Sequence, residues 1–147
     1  MPIRILVAVD ESPQASAALR HTLSTYPDAE IHALHVSDPL EWVHGDAYDG
    51  GTYSGQAFEQ ARRSAADLLA DVEATAAEYD VTLTTASKIG RPSVSIVQYA
   101  EEHFIDHIVL GSHGHRGLAR FLLGSVAERV ARRAPISVTI IRQPDVE

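Results

Sequence analysis

Short runs of apolar, β-branched residues alternate along this chain with longer segments of helical periodicity. Five runs predict strands and four segments predict helices. The predicted strands cover residues 3–9, 30–36, 81–87, 106–110 and 137–142, and the predicted helices cover residues 13–23, 56–79, 92–103 and 125–133. This alternation is typical of a parallel sheet with helices packed on both of its faces.

The first strand and the longest helix have the clearest patterns. Residues 3–9 are almost continuously apolar, as in a strand that is buried on both faces. Between residues 56 and 79 apolar side chains recur every three or four positions, which predicts an amphipathic helix. The predicted fold class is therefore α/β. We expect a single doubly wound, Rossmann-like domain over residues 1–147, with a five-stranded parallel sheet in the order 3-2-1-4-5.

Composition narrows the function classes. No apolar run reaches the roughly 20 residues of a membrane span, and the first residues lack the pattern of a secretory signal. The chain has no cysteine, which excludes disulfides, thiolate metal sites and cysteine nucleophiles. Its net charge of −8 disfavours a nucleic-acid binder. We therefore expect a cytoplasmic protein with neither a membrane nor a nucleic acid as its partner.

The glycine-rich turn after the fourth predicted strand is the strongest candidate site, because ligands of open α/β sheets bind beyond the carboxyl ends of the strands. Gly111, Gly114 and Gly124 let the backbone approach a ligand closely. Ser125 opens the next helix, whose N-terminus offers unpaired N–H groups to an anion, and its hydroxyl can either cap that helix or contact a phosphate. The only lysine is Lys88, so the loop has no Walker lysine and ordinary P-loop NTPase chemistry is disfavoured.

The ends of the first two strands supply two further candidates. Asp10 follows the first strand and is placed for ribose hydroxyls or a base edge, as an acidic residue is in other doubly wound folds. Its alternative role, which Ser12 shares, is to cap the first helix. Val36 ends the second strand and offers an apolar wall and backbone groups to a purine.

The spacing Gly111-x-x-Gly114, nine further residues and then Gly124-Ser125 resembles the G-2x-G-9x-G-(S/T) signature of the ATP-binding universal stress proteins. The resemblance extends over essentially the whole chain, and residues 7–10, 34–36, 90–92 and 122–128 also resemble family segments. It implies that Asp10 and Val36 contact the adenosine. It also implies that Gly111 and Gly114 line the ribose and phosphate track, and that Gly124 and Ser125 hold the terminal phosphates.

The same resemblance implies ATP as the ligand, with Mg²⁺ or Mn²⁺ as a companion ion, and a homodimer formed through the fifth strand. Thr139 in that strand departs from the family's more usual Pro-Val-Leu-Val-Val. The leading hypothesis is an ATP-binding stress-response or regulatory module. Its alternatives are a slow ATPase or nucleotide-dependent transferase, and a structural dimer without ligand whose glycines serve only its turns.

No catalytic residue and no metal ligand is predicted. The eight histidines lack the spacing of a zinc site, and the two on the second strand, His32 and His35, are expected on opposite faces of the sheet. Residues 37–55 are predicted to be an irregular loop. We favour a plain connection over a lid or a partner surface for this loop.

Overall fold

The sheet has five parallel strands in the order β3-β2-β1-β4-β5, as predicted. The computed structural model describes residues 2–40, 55–113 and 123–142. The strands are β1 (Arg4–Ala8), β2 (Glu30–Ser37), β3 (Thr84–Ile89), β4 (His107–Gly111) and β5 (Ser137–Ile141). The helices are α1 (Pro13–Thr25), α2 (Gly55–Glu78), α3 (Pro92–Glu102) and α4 (Ser125–Arg133). The predicted doubly wound α/β fold is confirmed.

Two apolar clusters hold the helices against the sheet. One, the α1–α2 cluster, contains Ile5 and Val7 of β1 with Leu19 of α1 and Val72 of α2. The other contains Leu6 of β1 with side chains of α3 and α4. Successive residues of β1 thus enter opposite clusters, and Ile5, Leu6 and Val7 are fully buried. This is the reason for the continuous apolar run at the start of the sequence.

The longest helix buries one stripe, as its periodicity predicted. Ala65, Val72 and Ala76 of α2 are buried, whereas Phe58 in its first turns is 44% exposed. No helix in the three described ranges is long and apolar enough to cross a bilayer. The predicted loop, residues 37–55, lies outside the described residues from 41 to 54.

The third strand begins later than predicted. The alternating pattern starts at Val81, but pairing with β2 starts at Thr84, which lies opposite His32, and continues to Ile89. Val81 instead donates its N–H to the carbonyl of Ala76 at 3.0 Å and closes the end of α2. Its side chain packs on the α1–α2 cluster, so its apolar character reflects burial ahead of the strand.

Candidate functional site

A cleft of 1160 Å³ opens at the carboxyl edge of the sheet, where β1 and β4 lie side by side and the chain leaves them in opposite directions. Its size exceeds the roughly 300–1,000 Å³ of typical small-molecule pockets. Five of the six predicted site residues line this cleft: Asp10, Val36, Gly111, Gly124 and Ser125. The sixth, Gly114, lies outside the described residues.

The turn from β1 into α1 is held by two side chains with different roles. Ser12 is the N-cap of α1, and its Oγ accepts a hydrogen bond from the N–H of Ala15 at 3.1 Å. Asp10 shapes the turn before the helix, since its Oδ1 accepts from the N–H of Ser12 at 2.8 Å. Within the described part of the chain its Oδ2 has no hydrogen-bond donor. One carboxylate oxygen of Asp10 is therefore occupied by the fold, and the other remains for a ligand.

The end of β2 is open toward the cleft. The last regular bond between β1 and β2 runs from the N–H of Val9 to the carbonyl of Leu34 at 2.9 Å. The carbonyl of Val9 accepts from Nδ1 of His35, also at 2.9 Å, instead of from the next backbone N–H. Val36 lines the cleft beside this interruption. Its N–H finds no acceptor in residues 2–40, 55–113 or 123–142.

Gly111 is required by the fold itself. A β-carbon at this position would lie 2.8 Å from the carbonyl carbon of Gln14 and 3.0 Å from the backbone nitrogen of Ala15. The glycine thus lets the first turn of α1 rest against the end of β4. This contact also brings the turn after β1 beside the turn after β4, which forms one wall of the cleft.

Gly124 and Ser125 form the start of α4. Gly124 is the N-cap, with φ −65° and ψ 155°, and no side chain among the described residues caps the helix. Its N–H donates to the carbonyl of Ser112 at 2.7 Å, and a β-carbon would lie 2.9 Å from the α-carbon of His113. The two ends of the glycine-rich loop are therefore joined through Gly124. Ser125 is the first residue of the helix and makes no capping bond to a described residue, so within this part of the chain the first N–H groups of α4 are available to an anion.

Charges of both signs line the cleft. Asp10, Glu11 and Asp38 lie at the ends of β1 and β2. Arg91 follows β3 and lies beside the end of β2, where the N–H of Gly90 donates to the carbonyl of Ser37 at 2.9 Å. Arg129 lies in α4, and neither arginine forms an ion pair with a described residue. The N-terminus of α4 adds partial positive charge to the part of the cleft that Arg129 lines, so this part favours the anionic end of a ligand.

Among the cleft residues that the sequence analysis did not predict, three have signals that could have found them. His35 is weighed there as a metal ligand and as part of the family-like segment 34–36, but it is given no role in the site, although as the residue before Val36 it lies at the end of a central strand. Arg91 stands in a turn that must reach the carboxyl edge, as every strand-to-helix turn of such a sheet does. Arg129 follows Ser125 by four positions, and this spacing places both on one helix face. These signals were present in the sequence.

Outside the cleft, a chain of hydrogen-bonded polar side chains on the α3 face of the sheet leads from the exposed Glu30 to the buried His32 and Tyr99. Nε2 of His32 donates to a carboxylate oxygen of Glu30 at 2.8 Å, and its Nδ1 lies 2.7 Å from the hydroxyl of Tyr99. The hydrogen bond from His32, with Arg4 nearby, lowers the pKa of Glu30, and burial raises the pKa of Tyr99. Because His32 contacts α3 while His35 bonds to Val9, the two histidines serve different contacts of β2.

The described residues do not fit a metal held by the protein, because no group of three or more His, Cys, Asp or Glu is arranged to hold an ion there. A divalent ion that accompanied a phosphate ligand would have phosphate oxygens and water as its ligands in this part of the chain.

Comparisons with known proteins identify the family. Residues 1–142 match the sequence model described as the universal stress protein family. The universal stress protein MJ0531 of Methanocaldococcus jannaschii is 32% identical over 146 residues, covering 98% of this chain and 84% of that protein. The solved structure of MJ0577, from the same organism, is 25% identical, covers 99% of each chain and superposes with a TM-score of 0.83.

An Arabidopsis thaliana member of the family, solved with AMP bound, has the same fold at 23% identity, with a TM-score of 0.67, covering 97% of this chain and 93% of that one. The match of the family model to nearly the whole chain agrees with the strand order and with the glycine pattern at the carboxyl edge. This chain belongs to the universal stress protein family.

Proposed function

We propose that this protein binds ATP in the cleft at the carboxyl edge of its sheet and acts as a nucleotide-dependent regulatory module of the stress response. The observation that carries the proposal is the uncapped N-terminus of α4, which opens into the same cleft as Asp10 and Val36. The phosphates bind at Gly124 and Ser125. The adenosine binds at the ends of β1 and β2.

The charges at the start of α4 support this orientation. Phosphates near Asp10, Glu11 and Asp38 would be repelled, whereas Arg129 and the α4 N-terminus attract them. At the other end, the free N–H of Val36 offers a donor to a ring nitrogen of the base. AMP bound to the Arabidopsis relative supports the choice of an adenine nucleotide.

The first experiment has two parts. Freshly purified protein is denatured and the released small molecules are identified by mass spectrometry, and calorimetry then follows titration with ATP, with and without Mg²⁺. We expect released ATP or ADP, or saturable binding of added ATP. Absence of both would favour the alternative of a structural dimer without ligand. Formation of ADP during incubation would favour the alternative of a slow ATPase.

Two arginines of α4 give a matched test of the orientation. Arg129 lines the cleft, whereas Arg132 pairs with Glu128 at 3.0 Å on the exposed side of the same helix. We expect Arg129→Gln to weaken ATP binding by about 1 kcal/mol, roughly fivefold, and to leave adenosine binding unchanged. Arg132→Gln should change neither. Equal losses for ATP and adenosine in Arg129→Gln would contradict a phosphate at this end.

We further propose a cytoplasmic homodimer that forms through β5. This strand is an edge of the sheet, and an unpaired edge can accept a second strand. Light scattering after size exclusion tests the dimer: a mass near twice the 15.9 kDa of one chain is expected, and the mass of one chain would refute it.

A further inference from the structure

His35 interrupts the pairing of β1 with β2 at the point where the strands reach the cleft. In a regular parallel ladder, a residue that donates its N–H to one residue of the neighbouring strand accepts at its carbonyl from the N–H two positions further on. Val9 donates to Leu34 at 2.9 Å, so the regular donor to its carbonyl would be Val36. The carbonyl of Val9 accepts from Nδ1 of His35 at 2.9 Å instead.

The chemistry of this contact fixes the tautomer of the neutral imidazole. A backbone carbonyl only accepts hydrogen bonds, so the proton of the neutral ring lies on Nδ1. The His35 side chain is half-buried and lines the cleft, which leaves Nε2 as an acceptor. The ring therefore has two distinct capacities. Nδ1 acts on the backbone of β1, and Nε2, which has no partner among the described residues, can accept a hydrogen bond from a ligand.

We propose that His35 is a positioning residue: by occupying the carbonyl of Val9 through Nδ1, it keeps the N–H of Val36 out of the ladder and available to the base of a bound nucleotide. This proposal rests on the proposed nucleotide site. It assigns to His35 an indirect role, in which the histidine acts through the strand end and not through contact with the ligand.

Three substitutions of His35 test the roles of Nδ1 and Nε2 separately. The amide nitrogen of asparagine stands as many bonds from the backbone as Nδ1 does, whereas that of glutamine stands as far out as Nε2. His35→Asn can therefore still donate to Val9, and His35→Gln replaces only the outer position. His35→Leu, which has neither group, frees the Val9 carbonyl for Val36.

The measurements are hydrogen exchange at the Val36 amide of the nucleotide-free protein and ATP binding by calorimetry. We expect fast exchange at Val36 in the unchanged protein and in His35→Asn, and slower exchange in His35→Leu and His35→Gln. ATP binding should stay within about twofold in His35→Asn and weaken about tenfold in the other two, the loss of one hydrogen bond to the ligand.

Other outcomes would overturn the proposal. Slow exchange at Val36 in the unchanged, nucleotide-free protein would show that its N–H is already paired. Normal binding in His35→Gln together with loss in His35→Asn would show that Nε2 contacts the ligand directly. If the unchanged protein binds no ATP, the proposed function itself fails, whereas ATP binding that is equal in all four proteins removes only the role of His35. The exchange experiment needs no ligand, and the asparagine–glutamine pair decides the question even if His35→Leu does not fold.

Discussion

A β-carbon at Gly111 would lie 2.8 Å from the carbonyl carbon of Gln14, so the end of β4 and the first turn of α1 approach as closely as only glycine permits. The first glycine of the motif is thus needed by the fold before any ligand is considered. A protein that kept the fold and lost the ligand would still require glycine at this position.

We expect Gly111→Ala to lower the free energy of unfolding by about 1–3 kcal/mol, as overpacking does elsewhere, because the contact is with backbone that cannot rotate away. Urea unfolding without nucleotide measures this. Gly55→Ala in α2 is the control, since nothing among the described residues lies within 4 Å of its added carbon. Unchanged stability of Gly111→Ala would show that α1 can shift without cost.

Alanine substitutions of the two serines at helix starts should have different effects, one on stability and the other on ATP binding. Ser12 caps α1 through the N–H of Ala15, so Ser12→Ala should lower the free energy of unfolding by about 1 kcal/mol. Ser125 makes no capping bond in the described part of the chain, so Ser125→Ala should leave unfolding unchanged and weaken ATP binding by about 1–2 kcal/mol if its hydroxyl contacts a phosphate. Urea unfolding and calorimetry on both variants give the comparison. A stability loss in Ser125→Ala would contradict the separation.

The hydrogen bonds of the buried His32 lead to a prediction about stability alone. Because a carboxylate only accepts, Nε2 of His32 carries the proton toward Glu30, and Nδ1 of the neutral ring accepts from the hydroxyl of Tyr99 at 2.7 Å. Tyr99→Phe leaves that buried acceptor unpaired and should cost about 1–3 kcal/mol. Chemical unfolding measures the cost. ATP affinity should not change, because neither residue lines the cleft.

The sequence allowed the fold to be predicted because its patterns are local. The first strand is apolar throughout since Ile5, Leu6 and Val7 enter clusters on both faces, and such burial leaves a direct trace in composition. The predicted start of β3 was wrong because the apolar pattern there does not come from the strand. Val81 is apolar because it packs on the α1–α2 cluster, and an alternating pattern does not distinguish this burial from pairing with β2.

The residues of the candidate site were predictable only where they belong to a motif or follow the end of a strand. The glycines, Ser125, Asp10 and Val36 follow from the resemblance and the strand ends, and those within the described residues meet at one cleft. The role of His35 was not predictable, because it depends on which backbone group its ring reaches across a strand pair. The separate roles of Ser12 and Asp10 also depend on hydrogen-bond geometry, so the sequence left them as alternatives.

Thr139 was a departure from the family pattern, and the structure gives it a partner. Its Oγ1 lies 2.6 Å from Nε2 of His107 on the neighbouring strand. The ring of His107 also packs edge-on against Tyr26, with ring centroids 6.1 Å apart. Burial, with a smaller contribution from His21, lowers the pKa of His107 below its usual value of 6.5.

This lowered pKa makes stability depend on pH in a defined direction. Between the folded and unfolded pKa values the unfolded chain binds more protons, so stability is full above about pH 6.5, declines as the pH falls below it, and levels off at the folded pKa. His107→Gln removes the titrating group and should flatten the part of the profile just below pH 6.5. Urea midpoints across this range measure it. Glu30 does not interfere, because the stability from its lowered pKa is lost only below its ordinary value of 4.5. If the decline just below pH 6.5 is equally steep in His107→Gln, another group is responsible.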